Sequence, residues 1–249
     1  MNFIEEALTW VYAWASSLIS CYLPTAGIKP CSGPNDMARC IADHILNENG
    51  GPAYQGGLVV NVSKGTVIHK ISNTTADTLA EIIISASKQT GLPISYGMAC
   101  LCAESLFDPW CQNGNYLGSN KEKSPDGYDV GIAQLKLKYL VGQDGVTDID
   151  SARSFALDPS KAIPYCFKMM SGRLTTADEF IAAPHDDHSD YAGFANKYYV
   201  ATAMYNFGKS GFLAMDHHSP LPHCEIVKRY EVIFATSLGV PSIFGDLHG

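Results

Sequence analysis

The sequence predicts a mainly α protein of α+β type, with a helical domain over residues 73–249 behind an N-terminal helix-plus-β-hairpin region over residues 1–72. Three observations lead there. Apolar types make up 46% of the 249 residues, enough for a substantial core and too many for a disordered chain. From about residue 75 onward apolar residues recur at helical spacing, punctuated by Gly and Pro. β-rich runs are confined to one short stretch before residue 72.

The elements follow in order. Ala7 to Leu23 carries no charge and is rich in Trp10, Tyr12, Trp14 and Tyr22. Glu5 and Glu6 precede it where a signal peptide would carry basic residues. The run is short for a membrane span, which needs about 20 residues. It reads either as a buried or oligomerising helix or as a membrane-contacting one. Pro24, Gly27, Pro30, Gly33 and Pro34 form a loop, and Asn35-Asp36 caps a second helix through about Leu46. Asn49-Gly50-Gly51-Pro52 ends it. Residues 58–62 and 66–71 read as a hairpin around Ser63-Lys64-Gly65. Thr74 or Thr75 caps the next helix, with Leu79, Ile82, Ile83 and Ala86 on one face and Gly91 as its stop. Pro93 opens another helix with Ile94, Met98, Leu101 and Cys102 as its apolar stripe. Asp108-Pro109 ends it, because a residue before proline avoids the α region. A loop rich in Gly, Asn and Ser spans 112–129. Helices are expected near 133–140, 160–172, 176–182, 192–206 and 222–238, with no internal repeat.

Charge narrows the function. Lys and Arg total 17 against 25 Asp and Glu, a net charge of −8. Nucleic-acid binding needs a basic patch to replace counterions, and anionic lipid surfaces also attract basic segments. Both are disfavoured. Charged residues are only 17% of the chain, below the usual level of about 25%, so apolar surface or partner contact is expected. The eight cysteines are loosely spaced, and Cys100-x-Cys102 is not the Cys-x-x-Cys of redox or zinc sites. Most are expected to be reduced and buried, with Cys31–Cys40 as the local pair should the chain meet an oxidising compartment. His185-Asp186-Asp187-His188, His217-His218 and His223-Cys224 match no metal signature and read as polar surface loops. Asn61-Val62-Ser63 and Asn73-Thr74-Thr75 fit the glycosylation acceptor pattern, which matters only on a eukaryotic secretory route.

The informative segment is Ala99 to Pro109. Glu104 is the only charge between Pro93 and Phe107. It falls in the last turn of its helix, beside the negative end of the dipole and among Leu101, Leu106 and Phe107. Both features disfavour the charged form. That is the setting of an acid that protonates the leaving group of a glycosidic bond. Three further segments follow: Gly131-Ile132-Ala133-Gln134, Asp158-Pro159-Ser160-Lys161-Ala162-Ile163, and Ala201 to Gly208 containing Met204-Tyr205-Asn206. Amides match sugar hydroxyl and acetamido groups, and aromatic faces match sugar rings.

In this order and spacing, Glu104-Ser105 and these segments resemble the catalytic domain of the lytic transglycosylases, of the soluble-transglycosylase and goose-type lysozyme group, over about residues 75 to 235. The resemblance implies a lysozyme-like helical fold that cleaves the β-1,4 bond between N-acetylmuramic acid and N-acetylglucosamine without a cofactor or metal. It implies Glu104 as the general acid/base. Ser105 would position the substrate, and Gly131 and Gln134 would line the sugar cleft. Tyr205 would hydrogen-bond near the Glu104 carboxyl, and Asn206 would support the cleft wall. The family route uses the substrate's acetamido and 6-hydroxyl groups and leaves a 1,6-anhydro end. Met204, Ile132-Ala133 and the long 112–129 loop depart from the family pattern.

A hydrolase would need a second carboxylate, at roughly 6.5–9.5 Å for inversion, and Asp129 and Asp126 are the candidates. The expected partner is the peptidoglycan glycan strand. Residues 1–72 would contact other virion or envelope proteins, and Ala7–Leu23 a membrane. A phage particle that opens the wall locally during genome delivery suits a wall enzyme with no leader; the bacterial cell envelope is the other location. The rival from another class is a non-catalytic structural or glycan-binding protein of the same fold.

Overall fold

The structure is a computed structural model that describes residues 36–48, 71–113, 129–143, 145–182, 192–215 and 219–245. Among them are α1 (Met37–Glu48), α2 (Asn73–Thr90), α3 (Ile94–Ser105), α4 (Leu137–Leu140), α5 (Ile149–Ala156), α6 (Pro159–Ala182), α7 (Lys197–Leu213) and α8 (Pro222–Leu238). A 3-10 turn, Ala192–Ala195, precedes α7. The mainly α expectation holds for these residues. The only sheet among them is antiparallel, β1 (Gln112–Asn113), β2 (Asp129–Val130) and β3 (Leu135–Lys136), with Gln112 opposite Val130 and Val130 opposite Leu135. The helix expected at 7–23 and the hairpin at 58–71 fall outside the described residues, save Ile71.

α3 is the centre of the molecule. Ten of its twelve residues are buried, all but Ile94 and Glu104. An apolar stripe was expected, but the helix is apolar all round, so it is enclosed on every side. α8 packs along it, α2 lies beside it, and α6 reaches it through Phe167. Gly97 permits that approach, because a Cβ there would overlap the Phe167 ring. α1 packs on α2 and contributes Ile41, Ala42, Ile45 and Leu46 to the same core. This helix thus belongs to the core of the helical domain rather than standing apart from it. A second cluster joins α7 to α8 through Phe194, Tyr199, Phe212, Leu221 and Cys224.

Several elements differ from expectation. The cap of α2 is Ser72, whose side chain accepts from the Thr75 amide, while Gly91 ends it as expected at φ 69°. Only the second half of residues 133–140 is helical; the first four are turn and strand. α5 was not anticipated; Asp148 and Ser151 form its reciprocal capping box. The two helices expected at 160–172 and 176–182 are one. Gly172 has open space around it, and Pro164, the sixth residue of α6, forgoes the bond its amide would make to the Ser160 carbonyl. Both are carried by packing. α7 is interrupted at Gly208, φ 73° and ψ 158°, so its regular part ends at Phe207. Cys100, Cys102, Cys111, Cys166 and Cys224 are free and buried, as expected. Cys40 is disulfide-bonded; Cys31, the partner expected for it, lies outside the described residues.

Candidate active site around Glu104

The end of α3 is held in an unusual backbone. Leu106, its C-cap, has φ 53° and Phe107 has φ 62°. Gln134, with φ 47°, is the third non-glycine residue at positive φ among those described. Such conformations cost on the order of 1–3 kcal/mol each and persist where packing imposes them. Phe107 is fully buried against Phe234, with ring centroids 5.9 Å apart. All three residues border the place where α3 meets the turn 131–134.

That turn is clamped residue by residue. Gln134 Nε2 donates to the Gly131 carbonyl at 2.8 Å and to that of Cys111 at 3.2 Å. The Ser105 hydroxyl, buried, donates to the Ile132 carbonyl at 2.8 Å. The Tyr205 hydroxyl donates to the Ala133 carbonyl at 2.6 Å. Three consecutive carbonyls are thus taken by side chains from three separate segments. Gly131 itself, at φ 80°, sits against the Ala156 carbonyl, where a Cβ would overlap backbone. Its amide donates to the Cys111 carbonyl at 2.7 Å. Both carbonyls facing Gln134 Nε2 demand a donor, which fixes the amide orientation. Its Oε1 is buried without a hydrogen-bond partner among the described residues.

Glu104 is only partly buried in this assembly, its side chain 14% exposed. His223 Nε2 lies 3.3 Å from its Oε1 and is 7% exposed. The remaining neighbours are thiols and a phenol. Burial pushes Cys166 up to about 12 and Cys111 up to about 12, with the Glu104 charge adding to each. Burial also raises Cys100 and Tyr205 well above their ordinary values, again with Glu104 contributing. These groups stay protonated near neutrality, so they supply polarisable walls and no competing charge. The Cys166 thiol donates to Tyr205 Oη at 3.5 Å. Among the described residues no cluster of three or more His, Cys, Asp and Glu side chains could hold a metal ion.

The structure therefore brings Glu104, Ser105, Gly131, Gln134 and Tyr205 together. The roles differ in detail from those the resemblance implies. The Ser105 and Tyr205 hydroxyls bind the turn backbone. Asn206 is exposed. Asp129 stands on β2, its Oδ1 3.8 Å from Lys136 Nζ, in the register that puts it opposite Lys136. Asp126, His185, Asp186, Asp187, His188, His217 and His218 lie outside the described residues.

His223 is the residue that sequence reasoning placed wrongly. It belongs to no surface loop: it is buried in the first turn of α8, after Pro222 at the helix start. Its period was readable, since His223, Val227, Glu231, Phe234 and Leu238 follow helical spacing and are all buried. Glu231 is likewise buried, and accepts from the hydroxyls of Ser95 at 2.7 Å and Ser242 at 2.6 Å. No family model matches the chain, and no curated protein or solved structure matches it.

Proposed function

We propose that this chain is a peptidoglycan-cleaving enzyme in which Glu104 is the single acid/base, acting as a lytic transglycosylase on the bond between N-acetylmuramic acid and N-acetylglucosamine. The observation that carries this reading is the placement of one carboxyl, alone in an otherwise buried helix, at the edge of a turn whose backbone is clamped by the neighbouring motif residues. An acid on rigid elements holds its reach to the substrate oxygen.

In this reading the carboxyl of Glu104 gives its proton to the glycosidic oxygen, and the C1–O bond breaks with its electron pair on that oxygen. The acetamido oxygen of the same sugar closes on C1. The 6-hydroxyl oxygen then bonds to C1 and displaces it, while its proton returns to Glu104. No second carboxylate is required.

The enzyme works on the wall from a phage particle, with the part of residues 1–72 that lies outside α1 making the contacts to the assembly. The disulfide at Cys40 suits a destination outside a reducing cytoplasm.

The test is turbidity loss of purified peptidoglycan, with mass analysis of the fragments. Wild type should clear the suspension and leave anhydro ends, and Glu104→Gln should lose at least about 10²-fold in rate. Equal activity of the two proteins refutes the assignment of Glu104. Reducing ends that disappear in Asp129→Asn refute the single-acid route.

A further inference from the structure

We propose that Glu104 and His223 form one proton-sharing pair, in which His223 is the positioning residue that keeps the acid supplied with its proton. This deepens the reading of Glu104 as a glycan-cleaving acid and rests on it. His223 Nε2 stands 3.3 Å from Glu104 Oε1, with both side chains largely buried. The ring comes from the first turn of α8 and the carboxyl from the last turn of α3. These two helices share the most extensive packing among the described elements, so rigid elements set the separation. Hydrogen bonds of catalytic groups are often long before substrate binds and tighten afterwards.

The chemistry of the pair follows from the two groups. A carboxylic acid can donate to a neutral imidazole nitrogen, or an imidazolium can donate to a carboxylate. Both arrangements contain the same proton and have no net charge, which suits a site shielded from water. One proton is therefore held between the two groups rather than by the carboxyl alone. The groups facing the carboxyl from the surrounding elements are Cys100 on α3, Cys111 after it, Cys166 on α6 and Tyr205 on α7. Glu225 is the acidic residue in the first turn of α8. The thiols and the phenol stay protonated, which leaves imidazole as the base that exchanges a proton with Glu104. In the reaction the carboxyl O–H breaks and its proton goes to the glycosidic oxygen. The 6-hydroxyl proton then returns to the pair.

The test uses the full chain with His223→Gln and Glu104→Gln. Proton NMR of the free protein should show a downfield hydrogen-bonded imidazole N–H. It should be absent in His223→Gln and moved upfield in Glu104→Gln. On peptidoglycan, His223→Gln should lower kcat on the order of 10²-fold with KM unchanged. Its kcat/KM profile against pH should differ from that of wild type. The resonance needs no glycan, so it separates failure of the pairing from failure of the glycan-cleaving reading. A downfield signal that is missing from wild type or unchanged in Glu104→Gln overturns the proposal, as does a pH profile of His223→Gln that coincides with wild type. Should His223→Gln not fold, the comparison of wild type with Glu104→Gln decides alone.

Discussion

Replacing Tyr205 by Phe removes one oxygen atom from the clamp on the 131–134 turn. The ring still fits, so no cavity forms and the whole effect comes from the hydroxyl. That hydroxyl donates to the Ala133 carbonyl at 2.6 Å and accepts from the Cys166 thiol at 3.5 Å. Ala133 and Cys166 are both buried. A carbonyl deprived of its donor in such surroundings costs about 1–3 kcal/mol, more than a typical net hydrogen bond of about 1 kcal/mol. The thiol is a weak donor and adds little. At about 2–4 °C per kcal/mol for a chain of this size, Tyr205→Phe should melt roughly 2–12 °C below wild type in a thermal scan followed by circular dichroism. Ser105→Ala removes the neighbouring donor, to Ile132. Both act on one turn, so the double variant should depart from additivity by about 0.5–3 kcal/mol. A Tyr205→Phe melting within about 1 °C of wild type would refute the clamp as a source of stability. Strict additivity would refute its cooperativity.

The backbone and a buried carboxyl give two further tests. Gly131→Ala places a methyl at φ 80° against the Ala156 carbonyl. The left-handed conformation alone costs about 1–2 kcal/mol, and the overlap requires backbone to move, so urea unfolding should show a loss above about 2 kcal/mol. Glu48, at the end of α1, is pushed by burial from its ordinary 4.5 up to about 7. The unfolded chain ionises it from about pH 4.5 upward while the folded chain resists until about 7. Its stability contribution is therefore fully present below 4.5 and lost as pH rises through 7. The difference amounts to about 3 kcal/mol. Glu48→Gln should be more stable than wild type at pH 8 by up to that amount and indistinguishable at pH 4. Equal stability of the two proteins at pH 8 would show that the side chain is solvated.

Helix ends and long apolar helices were legible because their signals are local. Gly91 stops α2, Pro222 opens α8, and the uncharged run around Met98 gives α3. Where expectation failed, a local signal met tertiary packing. Gly172 reads as a terminator but lies within α6, whose faces pack on α2 and α7. The strands β1, β2 and β3 are two residues each, too short for alternation to register. The site was partly legible: Glu104 stands out as the lone charge of its helix. His223 was read with the other histidines as part of a surface loop, because the surrounding histidine-rich composition obscured its place on a buried stripe.

The sequence by itself determined the helical class, the isolation of Glu104 and the order of the segments that accompany it, since each depends on residue type and spacing along one stretch of chain. Only the tertiary structure decided what those segments do to one another. Ser105, Gln134 and Tyr205 are separated by up to about a hundred residues, yet they hold successive carbonyls of one turn. His223 reaches Glu104 because α8 lies along α3. The donors and acceptors are written in the chain, but their pairing depends on which helices bury which faces, and that is settled by packing across the whole core.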